Sequence, residues 1–204
     1  DLVHEILAAA HDFSADALQE RLDQAWPGLG LTPGWLERRA RRDATMMISR
    51  ASRYVQQAET AGRREVAREL PVTLQVGHGT LTARIDRVEQ EPDGRLRVID
   101  FKTGTTKPTA AELARSPQLG AYQVGAGQLG EVSGASFVQL GRAANQQVTM
   151  QDQAGLRGCE DPEWATRMIV ESGTTMAGPR FEARRGPWCR TCEAVLCCPA
   201  GKRS

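Results

Sequence analysis

The sequence predicts a layered α/β or α+β fold, and three observations predict it. The first 61 residues place their apolar side chains at helical spacing. From Leu70 the spacing changes to a period of two over three successive stretches. After Thr109 the chain returns to helix, then to one short strand, then to a last helix.

In the opening LVHEILAAA, Leu2, Val3, Ile6 and Leu7 recur at helical intervals. Thr32 followed by Pro33 reads as an N-cap and first-turn pair. The helix expected to follow lines up Leu36, Ala40, Met47, Ile48, Ala51, Tyr54 and Val55 on one face. Arg38, Arg39, Arg41 and Arg42 crowd its N-terminal half, and their plain reading is a solvated face. LPVTLQV (70–76) and GTLTARIDRV (79–88) then read as strands joined through Gly77-His78-Gly79. EPDG (91–94) is a turn and RLRVIDFK (95–102) a third strand, which completes an antiparallel meander. Thr109 and Glu112 form a T-x-x-E capping box that opens a helix running through PQLGAYQ to about Val124. ASFVQL, ending just before Gly141, is a fourth strand. Asp161-Pro162 starts a last helix with Trp164, Met168 and Ile169 facing in.

The totals suit one domain of 204 residues: a helical segment (1–61), a core (62–180) and a Cys-rich tail (181–204). Hydrophobic residues make up 40% and charged ones 25%, the balance of a globular chain. A net charge of +1 does not advertise nucleic-acid binding, so any such role must come from local clustering. No run of about 18 apolar residues marks a membrane span. The opening DLVHEILAAA is helical at once and lacks a Met, so the sequence is expected to continue upstream. Gly125-x-Gly127-x-x-Gly130 matches a dinucleotide fingerprint, but a helix precedes it where a strand is required. It is expected to be a helix exit.

The chemistry gathers around VIDFKTG. Alternation places Asp100 and Lys102 on one strand face, with Phe101 and Ile99 on the other. Pairing through EPDG would bring Asp86 beside Asp100. Two adjacent carboxylates repel unless a cation joins them, and a hard divalent ion such as Mg²⁺ suits them. A simple Asp100–Lys102 ion pair is the competing reading. Gln118 and Tyr122, four apart, share a helix face. His4 alone would pass for a structural histidine. Cys159, Cys189, Cys192, Cys197 and Cys198 crowd toward the C-terminus, which suggests a metal site more than disulfides.

Taken in order, His4 in LVHEIL, Asp86 in ARIDRVE, D-x-K in VIDFKTG, and Gln118 with Tyr122 in PQLGAYQ resemble the RecB-type branch of the PD-(D/E)xK nuclease superfamily. Within it the chain is most similar to the nuclease domains of bacterial helicase–nucleases, RecB, AddA, AddB, AdnA and AdnB, from His4 to Pro199. The resemblance implies a restriction-endonuclease-like core and metal-dependent DNA hydrolysis in double-strand break processing. It implies that Asp86, Asp100, His4 and the Phe101 carbonyl bind Mg²⁺ or Mn²⁺. Lys102 would orient the attacking water, and Gln118 and Tyr122 would brace the site. Glu69 matches an acidic position often seen just before the first strand. Cys189-x2-Cys192-x5-Cys198 resembles the close of the iron–sulfur subgroup, with a [4Fe–4S] cluster whose fourth Cys lies upstream. Zinc remains the competing ion, with Cys159 or Cys197 as a further ligand. Arg84, Arg87, Lys107 and the Arg38–Arg42 run are candidate phosphate contacts. The implied partners are single-stranded DNA ends and helicase domains in the bacterial cytoplasm, with no membrane. Two further readings stay open: a silent nuclease-like scaffold that binds DNA or a partner, and a zinc-stabilised interaction module.

Overall fold

The period-two stretches build the first three strands of a five-stranded sheet in the computed structural model, which describes residues 1–77, 79–141, 147–180 and 182–200. His78, expected in the first strand connection, lies outside the described residues. The strands are β1 (Arg64–Val76), β2 (Gly79–Gln90), β3 (Leu96–Lys102), β4 (Val132–Gln139) and β5 (Thr149–Ala154), in that spatial order. β1–β2 and β2–β3 pair antiparallel as the turns require. β4 joins β3 in parallel after a helical crossover, and β5 returns antiparallel along β4.

Two differences from the sequence reading have one cause. β1 begins at Arg64, well before Leu70, because its first residues are polar yet pair with Gln90, Glu89, Val88 and Arg87 across a bulge between Glu65 and Ala67. β5 (TMQDQA) was not expected at all. Its inward residues are Gln151 and Gln153, which are buried and fully hydrogen-bonded. Gln153 Nε2 donates to the Leu113 carbonyl at 2.8 Å and its Oε1 accepts from Gln123 at 2.8 Å. Satisfied amides fill the places that apolar side chains would, and the hydrophobic alternation disappears.

Helices cover both sheet faces. α1 (Leu2–Ala9), α2 (Ala15–Ala25) and α3 (Trp35–Thr60) pack Val3, Ile6, Leu7, Leu18, Leu22, Ile48 and Tyr54 against Ile99, Phe101, Val138 and Leu140. α4 (Ala110–Ala114) and α5 (Pro117–Ala126) cover Val72, Ile85, Val88, Val98 and Phe137 on the opposite face. α6 (Trp164–Ala177) packs against α5 and against β1 and β2.

The Thr109–Glu112 capping box forms, with Glu112 Oε2 accepting from Thr109 N at 2.8 Å. The helix it opens ends after Ala114, however, and a second one starts at Pro117 behind a Ser116 cap. Pro117 has no N–H to continue the first ladder, so the chain restarts there. α3 is capped at Gly34 and not at Thr32. Leu36, expected inside, is 63% exposed, because burial along α3 begins only at Ala44. α6 starts at Trp164, with Trp164 and Ala165 buried and Met168 and Ile169 half-buried. The glycine-rich stretch is a helix and its exit. A Cβ on Gly125 would stand 2.6 Å from Val72 Cγ1, so that glycine permits α5 to lie close on β1.

Candidate active site

The site grows from the point where β2 and β3 part. Their ladder runs from Gln90↔Leu96 to Arg87↔Ile99. One step further the same register sets Asp86 opposite Asp100. There the backbone pairing gives way to a side chain: Asp86 Oδ2 accepts the Phe101 N–H at 2.8 Å. On the other side of β2, Glu69 lies between the pairs Arg68↔Arg87 and Leu70↔Ile85, so it stands opposite Asp86. Three acidic residues thus occupy one row across β1, β2 and β3. Glu69 is inside β1 and not before it, and it holds φ 47°, a left-handed conformation that a non-glycine residue adopts at a cost.

α1 brings the histidine. Asp1 caps this helix through Val3 N at 3.0 Å, and its second oxygen accepts from Thr103 Oγ1 at 2.7 Å, which pins the helix start to the end of β3. His4 Nε2 then lies 2.9 Å from the Phe101 carbonyl and 3.8 Å from Asp86 Oδ2. A carbonyl only accepts, so in this arrangement Nε2 is the donor. His4 Nδ1 lies 3.4 Å from Asp1 Oδ2. Both backbone polar groups of Phe101 are therefore taken by side chains of the site. Asp1 was not foreseen, although an Asp directly before an apolar helical run is an N-cap signal.

α5 closes the other side. Gln118 Oε1 accepts from Lys102 Nζ at 2.7 Å, while its Nε2 donates to Asp100 Oδ1 at 2.8 Å and to Tyr122 Oη at 3.0 Å. The two ends of one amide thus fix an ammonium and a carboxylate. Lys102 Nζ also lies 2.8 Å from Asp100 Oδ2 and 4.6 Å from the centre of the Phe137 ring. Asp100 is only 3% exposed, and its Oδ2 has the Lys102 charge beside it but no well-directed hydrogen bond. Burial pushes the Asp100 carboxyl up to about 6, against the pull of Lys102, and the neighbouring Asp86 adds to the rise. Burial also raises Asp86, opposed by the Phe101 N–H, His4 and Lys102. Tyr122 is raised by burial as well.

The candidate phosphate contacts separate. Arg84 is exposed and 3.7 Å from Glu69, and Lys107 is exposed in the connection after β3. Arg87 is buried: its Nε meets Glu89 at 2.7 Å, it pairs with Glu65, and it lies against the Phe13 ring. It faces the core side of β2 and is unavailable to DNA.

The donor set of two carboxylates, a carbonyl and an imidazole suits a hard divalent cation, and the under-satisfied Asp100 Oδ2 supports that fit. Among the described residues no three or more His, Cys, Asp or Glu side chains form a group that could hold a metal ion; His4, Asp86 and Asp100 are engaged with Phe101, Lys102 and Gln118. The tail cysteines are likewise not gathered. Cys189 and Cys198 are half-buried and Cys192 exposed, all as free thiols. No helix among the described residues is long and apolar enough to cross a membrane.

A solved structure titled "Crystal structure of SSO0001" aligns with 98% of this chain and 86% of its own, at 15% identity and a TM-score of 0.45. No curated protein matches the chain. A family model described as the PD-(D/E)XK nuclease superfamily matches residues 1–199, nearly the full length. The chain belongs to the PD-(D/E)XK nuclease superfamily.

Proposed function

We propose that this chain is a Mg²⁺- or Mn²⁺-dependent deoxyribonuclease domain of a RecB-like helicase–nuclease, acting on single-stranded DNA at processed double-strand breaks. The observation that carries the reading is the lattice in which Gln118 holds Lys102 and Asp100 together, one strand away from Asp86. Asp86 and Asp100 would hold the ion, with the Phe101 carbonyl and His4 as further donors and Glu69 as a third carboxylate in the row. The bound ion supplies Lewis-acid stabilisation of charge on the scissile phosphate.

The residues themselves do the rest. Lys102, an ammonium with three donors, aims at the attacking water and at the negative charge that develops on the phosphate. Gln118 keeps that ammonium from swinging away, and Tyr122 fixes the Gln118 amide by accepting from its Nε2. To bind a metal through Nε2, His4 must carry its proton on Nδ1, where Asp1 Oδ2 stands 3.4 Å away to accept it. Arg84 and Lys107, both exposed, would meet DNA phosphates. The C-x2-C-x5-C tail supports a [4Fe–4S] cluster completed by a fourth Cys from outside this sequence, with zinc the competitor.

Purified Lys102→Ala and Asp100→Ala proteins are expected to lose metal-dependent cleavage of single-stranded DNA while keeping the wild-type circular dichroism spectrum. Undiminished cleavage by Asp100→Ala would sink the assignment. Absorbance of the full-length protein tests the tail. Iron with a broad visible band supports the cluster, and colourless protein with stoichiometric zinc replaces it.

A further inference from the structure

Outside the site, the N-terminal half of α3 is largely exposed. Of its four N-terminal arginines, Arg41 is committed elsewhere: it pairs with Asp23 at 2.8 Å and covers the Trp26 ring. Arg38, Arg39 and Arg42 are exposed and line a shallow groove together with Trp35, Asp43 and Met46. Positions 35, 38, 39 and 42 follow the 3–4 spacing of one helix face, so three guanidinium groups and an indole form a single stripe. Trp35 is 63% exposed, an unusual place for the largest apolar side chain. Among the described residues Asp43 is the only carboxylate lining the groove, 3.8 Å from Arg39, which leaves the stripe positive.

The stripe has a direction. Past Met46 a second groove continues along the same face to Ser49 and Arg50. Arg50 donates to the Leu140 carbonyl, and Leu140 N–H donates to the Lys102 carbonyl at 2.8 Å. Further along, Tyr54 and Arg63 meet Glu89, which pairs with Arg97 near the other end of β3. α3 therefore runs backward along β3, and its N-terminal half overhangs the sheet end that carries Asp100 and Lys102. At 1.5 Å per residue, Trp35 lies about 22 Å along the axis from Arg50. At a spacing of about 3.4 Å, that is room for roughly six stacked nucleotides.

We propose that this α3 stripe is a track for single-stranded DNA, on which Trp35 stacks a base and Arg38, Arg39 and Arg42 hold successive phosphates leading to the strand ends of β3. The proposal rests on the deoxyribonuclease reading above. A positive, aromatic-bearing ridge suits a single strand because every base has a stacking face and every linkage a charge. The exposed Leu31 and Leu36 beside it make a second copy of this chain the rival occupant.

The test measures binding of a labelled oligodeoxynucleotide of about 20 nucleotides by fluorescence anisotropy in EDTA, and its cleavage with Mg²⁺ or Mn²⁺. An Arg38→Glu/Arg39→Glu/Arg42→Glu protein is expected to bind at least about tenfold more weakly, with a salt dependence shallower by about two counterions. Its KM is expected to rise at unchanged kcat. Trp35→Ala is expected to lose several-fold in affinity, restored by Trp35→Phe. A triple Arg→Gln protein repeats the measurement should charge reversal lower the melting temperature. Wild-type affinity and salt slope in the triple variants overturn the proposal. So does a fall in kcat at constant KM, and so does a wild-type dimer that the variants convert to monomer. Failure of the wild-type protein to cleave DNA would instead remove the nuclease reading, and the EDTA binding arm would still decide the stripe.

Discussion

Burial of the Asp100 carboxyl at 3% exposure is costly to the folded protein whenever the group is ionised. Its folded value is pushed up to about 6 from an ordinary 3.8. A raised carboxyl contributes no penalty below about pH 4, where it is protonated in both states, and stability is lost as pH rises through about 6. The shift, already net of the attraction to Lys102, corresponds to roughly 3 kcal/mol at neutral pH. Asp100→Asn is therefore expected to melt several degrees above the wild type near pH 8 without divalent ions, and the gap should close toward pH 4. Millimolar Mg²⁺ should raise only the wild-type melting temperature, since the ion binds the ionised folded form. A variant that melts lower than the wild type throughout this range would contradict the account. Strand alternation made Asp100, Lys102 and Asp86 legible as neighbours, and the four-residue spacing did the same for Gln118 and Tyr122. Nothing local revealed that Arg87 points inward. Its place on the core face of β2 depends, besides Glu89 two residues on, on Glu65 and Phe13, which arrive from two other parts of the chain.

Elements show the same division between local and distant causes. The meander was readable because its turns and apolar alternation are local. β5 was not, because its buried glutamines are interior only once Gln123, Gln139 and the Leu113 carbonyl are in place. α5 shows how close packing is written into a residue that looks like a motif. Ala is the better helix former by about 1 kcal/mol, yet at Gly125 its Cβ would meet both Val72 methyl groups, at 2.6 and 3.0 Å. Val72 is β-branched on a strand and has little freedom to turn aside. Gly125→Ala is thus expected to destabilise by about 1–3 kcal/mol through overpacking. Made in a Val72→Ala background, the same change should stabilise, because it fills the vacated space and recovers helix propensity. A double-mutant cycle by urea unfolding checks the reversal of sign, and equal effects in both backgrounds would refute it.

At the scale of the whole molecule, a chain of ion pairs, buried at Glu89 and Arg87 and half-buried at Glu65 and Arg68, joins the layer that carries His4 to the sheet that carries the acidic row. Tyr54 on α3 donates to Glu89 at 2.9 Å, and Arg63 meets the same oxygen at 3.0 Å. Burial and the Glu89 charge raise the Tyr54 hydroxyl far above its ordinary range, so it stays a donor at any working pH. Glu89, fully buried on β2, takes Arg87 on its other oxygen, Arg87 takes Glu65 on β1, and Glu65 takes Arg68 at 2.7 Å. Arg68 ends the chain on the Leu7 and Ala10 carbonyls, where a cation also complements the C-terminal dipole of α1. One end of α1 is thus held by Arg68 and the other by Asp1 on Thr103, with His4 between them. Arg68→Met keeps the aliphatic stem and removes the guanidinium. Amide exchange in α1 is expected to accelerate at least about tenfold, while β2 and β3 keep their protection. Cleavage should fall with it, because His4 is positioned through α1, and added Mn²⁺ should recover part of the loss if the histidine serves as a ligand. Unchanged α1 exchange in Arg68→Met would show that the apolar contacts of Val3, Ile6 and Leu7 alone hold the helix.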